Sequence, residues 1–168
     1  PVRNFSNPRG FPWLSGAPLK ECIDANELVD LVVELAYAVH SIQGQYLIEH
    51  PEDLGCTKEG HTPASIWQLT AVRDLATETQ AHTAAIFQCS PPGSADAPGD
   101  ISKPTRFMGT TCALNTAPFK GWPQFNDKHM YLGPLPLSCG HAHTRPLTPT
   151  PPSLLHTSLT PRTHPLTP

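Results

Sequence analysis

Charge of either sign is scarce in this chain, and so are long apolar runs and glycine-rich phosphate loops. Charged residues make up 15% of the 168 residues and the net charge is −3 with histidine neutral. This excludes a global basic field that would draw nucleic acid or an anionic membrane. No stretch approaches the roughly 18 apolar residues that a membrane span needs, so no membrane partner is expected. The opening Pro1-Val2-Arg3-Asn4-Phe5 carries neither an initiator Met nor a signal-peptide core, and the chain reads as an internal fragment. No Gly-x-Ser-x-Gly elbow, no His-Glu-x-x-His helix and no Gly-rich loop after a strand is present, which leaves hydrolase, zinc-protease and nucleotide-loop chemistry unsupported. The five cysteines (Cys22, Cys56, Cys89, Cys112 and Cys139) are odd in number and widely spread. That excludes a disulfide framework and points to a reducing compartment, cytoplasm or nucleus.

Proline and glycine are abundant instead: 21 and 11 residues, about a fifth of the chain. Such a density of breakers implies much irregular backbone. Residues 1–19 read as an entry loop anchored by Phe5, Phe11, Trp13 and Leu14. From Glu21 to Ile42, the positions Ile23, Leu28, Leu31, Val32, Leu35, Ala36, Val39 and Ile42 recur at spacings of three and four. That pattern predicts an amphipathic helix with one buried stripe, closed by Gly44. Tyr46-Leu47-Ile48 then predicts a buried strand that ends at Glu49-His50-Pro51, where proline stops the ladder. A short helix follows from Pro63 toward Leu75. Thr83–Cys89 and Thr105–Thr111 supply two more strands.

The expected fold class is α/β: a small, incomplete Rossmann-like layer of short strands with helices and much irregular loop. Residues 20–143 form the domain. Residues 144–168, rich in Pro and Thr without an acidic or aromatic residue, are expected to be a disordered low-complexity tail.

Three groups of residues could carry chemistry. Cys139-x-His141-x-His143 places three zinc-type ligands within five residues, and Cys89 at a strand end would complete a tetrahedral set; the alternative is a hydrogen-bonded loop. Glu49-His50 at a strand end sets a carboxylate beside an imidazole, suited to proton transfer near neutral pH; the alternative is an ordinary polar strand end. Lys103 and Arg106 flank Pro104 and offer a local phosphate contact to DNA, against a plain solvated loop.

Taken in order, Leu47-Ile48-Glu49-His50-Pro51, Pro63-Ala64-Ser65-Ile66-Trp67, Phe87-Gln88-Cys89, Lys103-Pro104-Thr105-Arg106 and Cys139-Gly140-His141-Ala142-His143 resemble the cytosine-5 DNA methyltransferase-like domains of mobile elements, over residues 20–143. The resemblance implies the latter part of a Rossmann-like, S-adenosylmethionine-dependent domain. It implies that Glu49 matches the acidic residue that holds the target base while a cysteine attacks it. His50 stands where that family has asparagine, and neither the Gly-rich cofactor loop nor the Pro-Cys nucleophile occurs in this chain. S-adenosylmethionine is therefore not expected to bind it alone, and no covalent adduct can form.

The leading expectation is a truncated or degenerate methyltransferase-like domain from a transposable element, without independent catalysis and with a missing N-terminal half as partner. The alternatives are a small zinc-stabilised module binding nucleic acid or protein, and a non-functional frameshifted product. Deleting residues 144–168 is expected to leave the thermal melt of the chain unchanged, because such a composition cannot bury enough apolar surface to contribute; a large drop in Tm would show that the segment is packed.

Overall fold

A computed structural model describes residues 1–89 and 102–136. The elements are α1 (Gly16–Ser41), β1 (Leu47–Pro51), a 3₁₀ turn (Ile66–Gln68), α2 (Thr70–Glu78), β2 (His82–Cys89), β3 (Ser102–Gly109), a second 3₁₀ segment (Cys112–Thr116), β4 (Phe119–Lys120), β5 (Gln124–Phe125) and β6 (Tyr131–Gly133). Helices and small antiparallel sheets are thus combined in an α/β-like arrangement. Among the described residues no helix is long and apolar enough to cross a membrane.

α1 forms where the sequence places it and begins earlier, because Pro18 suits a first helical turn. Its end differs in one detail. Gln43, not Gly44, takes the left-handed conformation, at φ 62°. The Gln43 amide donates to the His40 carbonyl and the Gly44 amide to the Val39 carbonyl, both at 2.9 Å, the paired closure of a Schellman motif. The buried face also differs. Cys22, Val33 and Ala36 are buried and Val29 packs beside them, whereas Ile23, Leu28, Leu31, Val32, Leu35 and Ile42 of the expected buried stripe are exposed. The chain contains two apolar stripes on this helix, and the shorter side chains are the ones that meet the sheet.

Four strands form the main sheet in the order β1-β3-β2-β4, and β5 pairs with β6 apart from it. Each described pairing is antiparallel, where the ladders of a Rossmann layer are parallel. The physical reason lies in the return strand. β3 follows β2 and inserts between β1 and β2, opposing both, so β1 and β2 themselves run in the same direction with α2 as their crossover. This is a split β-α-β unit. β1 lies at the sheet edge rather than in the middle, which is what admits Pro51; only its Ile48 is buried.

The core gathers on one face. Ile48 of β1 faces Met108 of β3 across the ladder. Above them pack Val33 and Ala36 of α1, Val72, Leu75 and Ala76 of α2, and Trp67 and Leu69 between. Trp67 is fully buried, and its Nε1 donates to the Pro51 carbonyl at 2.8 Å. Trp13, by contrast, stays exposed and stacks on Phe11 at 4.6 Å. The first residues fold back along α1: the Arg9 guanidinium meets Asp30 and the Phe5 amide donates to the Thr62 carbonyl.

Candidate functional site

The carboxyl end of β1 opens onto a cleft of about 570 Å³ lined by His50, Glu52, Asp53, Cys56 and Ser65 among others. In open α/β sheets, ligands sit beyond the carboxyl ends of the strands. Two local features shape this cleft. The Ser65 hydroxyl accepts from the Trp67 amide and the Gln68 carboxamide accepts from the Ser65 amide, a capping box that opens the 3₁₀ turn. Asp53 ties that turn to the strand end: Oδ2 accepts from Gln68 Nε2 at 2.6 Å, and Oδ1 accepts from the Gly55 amide at 2.9 Å. Gly55 has φ +70°, and a Cβ there would meet the His129 carbonyl, so no other residue fits this bend.

Beneath the cleft lies an ion pair between Glu52 and Arg106, both side chains fully buried, with Nη2 2.7 Å from Oε2. The remaining donors are divided. Nη1 of Arg106 donates to Thr83 Oγ1 at 2.9 Å and to the Gly121 carbonyl. The Glu52 carboxylate is held by its charge-assisted contact with Arg106 and by the backbone amide of Asp53. Burial raises the Glu52 pKa above the usual carboxylate range, and the Arg106 charge opposes that shift without cancelling it. Burial also pushes Tyr131 up to about 12. Arg73 secures the turn that carries Trp67: its Nε donates to the Trp67 carbonyl at 2.6 Å and its guanidinium lies 3.7 Å above the Trp122 ring.

The expected site residues are redistributed. Glu49 and His50 do not form a pair, because neighbours on a strand point to opposite faces. His50 lines the cleft with its pKa lowered by burial. Glu49 faces the other way and meets Lys103, with Nζ 3.0 Å from Oε1. Lys103 is exposed but engaged. Arg106 cannot touch DNA phosphate: it stands on the central strand at 0% exposure with Glu52 as counter-ion. Of the four zinc candidates, Cys139, His141 and His143 lie outside the described residues, and Cys89 is described only as the last position of β2, opposite Ser102. Among the described residues no group of three or more His, Cys, Asp or Glu could hold a metal ion.

Glu52, Asp53, Gln68 and Arg73 are the site residues that sequence reasoning passes over. Glu52 and Asp53 follow a proline in a turn-rich stretch and read as solvated loop. The one available signal is the pairing of an acidic dipeptide just past a strand with a lone arginine inside another strand, since a strand-interior arginine needs a counter-ion.

Arg106→Leu strands Glu52 as a buried unpaired carboxylate and is expected to cost about 3–5 kcal/mol at neutral pH. A carboxyl whose folded pKa is raised contributes fully below its ordinary value of 4.5 and loses that contribution as pH rises through the folded value. The penalty of Arg106→Leu should therefore shrink as pH falls toward 4.5, and adding Glu52→Gln should remove the pH dependence. Urea unfolding across this range checks it; a penalty independent of pH contradicts the assignment.

Compared with protein-family models, curated proteins and solved structures, the chain matches none of them.

Proposed function

We propose that residues 20–143 are the distal part of a truncated or degenerate cytosine-5 DNA methyltransferase-like domain of the mobile-element kind, and that this chain does not catalyse methyl transfer by itself. One observation carries this reading. Segments far apart in the sequence, on which the resemblance rests, converge at the carboxyl end of β1: Trp67 of the Ser65-Ile66-Trp67 turn donates to the Pro51 carbonyl, and Lys103 meets Glu49.

The cleft supports a binding role more than a chemical one. The neutral-leaning imidazole of His50 gives it one polar group that can meet the N–H edge of a base or another donor-rich group. Cys56 also lines the cleft, with its Sγ donating to the Thr57 carbonyl rather than to a base, and the sequence carries no glycine-rich loop after a strand to cradle a nucleoside cofactor. In that family S-adenosylmethionine supplies the methyl group, and the Gly-rich loop that holds it there has no counterpart in this sequence. Recognition without catalysis is what remains.

Calorimetric titration of S-adenosylmethionine into the chain is expected to give no binding. Coexpression with a segment bearing a Gly-rich cofactor loop and a Pro-Cys motif from a cytosine-5 methyltransferase is expected to yield a two-chain complex that binds the cofactor. Micromolar binding to this chain alone would overturn the claim of incompleteness. Failure of the two chains to associate would count against the methyltransferase-like reading itself.

A further inference from the structure

α1 is apolar on two opposite sides. Its inner stripe, Cys22, Val29, Val33 and Ala36, packs inward, with Val33 and Ala36 joining the core over the sheet. Its outer stripe is Leu28, Leu31, Leu35, Ala38 and Ile42, spaced three, four, three and four residues apart. At about 3.6 residues per turn the two stripes face away from each other. Leu28 is 63% exposed, Leu35 55% and Ile42 80%. An amphipathic surface helix has one apolar stripe; this one carries a second with nothing over it among the described residues.

The spacing and the flanking charges identify what fits. A repeat of three and four is the seam that receives another helix. Glu27 and Glu34 border the stripe on one side and form no ion pair among the described residues, whereas Asp24 and Asp30 are engaged by Lys20 and Arg9. An antiparallel second copy would set Glu27 and Glu34 against their own equivalents, which is repulsive. A parallel copy would set them against Val32 and Val39, leaving both carboxylates beside apolar side chains. A lipid surface favours Lys and Arg beside the apolar face, not Glu.

We propose that the outer face of α1 docks an amphipathic helix of another polypeptide, one whose apolar stripe is bordered by Lys or Arg. Leucines 28, 31 and 35 form the seam and Glu27 and Glu34 select the partner by charge. The inference stands on α1 alone and holds whether or not the methyltransferase-like reading does.

The test uses the full chain and two synthetic three-heptad peptides with leucine seams, one flanked by Lys and the other by Glu, followed by fluorescence anisotropy at low salt. The Lys peptide should bind at least about tenfold tighter than the Glu peptide, and Glu27→Lys/Glu34→Lys should reverse that order. Leu31→Asp/Leu35→Asp should abolish binding of the Lys peptide while the circular-dichroism melt stays unchanged, because these positions are exposed. Equal binding of the two peptides, or no binding of either, overturns the proposal. So does concentration-dependent dimerisation in sedimentation that Leu35→Asp removes, which would make a second copy the occupant, and so does uptake onto phosphatidylcholine vesicles.

Discussion

The pair between Glu52 and Arg106 fixes the arrangement of everything near the strand ends. Arg106 sits on β3, the strand inserted between β1 and β2, and its guanidinium reaches Thr83 on β2 and the carbonyl of Gly121 beyond it. Glu52 follows directly on β1. One buried cation therefore joins an edge strand, the central strand, its other neighbour and the segment after β4. A charge in that position is tolerable only with its counter-ion, since the cost of desolvating either alone is several kcal/mol. The turn after Pro51 must consequently bring Glu52 inward, and the cleft above is the space that this turn leaves.

The surroundings of the pair explain why the cleft is polar yet well defined. Asp53 is held by Gln68 and by the Gly55 amide, and Gln68 in turn caps the turn that carries Trp67. Trp67 packs between the helices and the sheet and is anchored to the Pro51 carbonyl. These groups therefore act as a unit: the capping box orients the indole, the indole fixes the end of β1, and the end of β1 places Glu52 against Arg106. Glu52 itself stays beneath the cleft, its side chain fully buried against the Arg106 cation.

Much of the fold is legible in the sequence because its elements are local. The helical period of α1, the strand at Leu47–Pro51 and the hairpin strands β2 and β3 follow from spacing, proline placement and β-branched or aromatic content. What is not legible is which side of a strongly apolar helix faces in. Leu28, Leu31 and Leu35 give the stronger periodic signal, yet Val33 and Ala36 are the residues that fit against Ile48 and Met108; steric fit to the sheet decides, and a sequence pattern carries no information on it. The role of Arg106 was hidden for a similar reason. A basic residue beside Lys103-Pro104 reads as a surface cation until β3 is known to be the central strand. Glu49 and His50 are separated by the alternation of a strand whose faces could not be assigned beforehand.

Among the described residues, the outer edge of β1, at one end of the strand order, and the outer face of α1 carry no partner. The most direct measurement of this edge is amide hydrogen exchange on the chain, resolved by residue. Alternate amides of β1 should exchange close to the solvent rate while their neighbours, bonded to β3, and the amides of β3 itself stay protected. Uniform protection along β1 would show that its outer edge is paired, and would contradict its place at the end of the strand order.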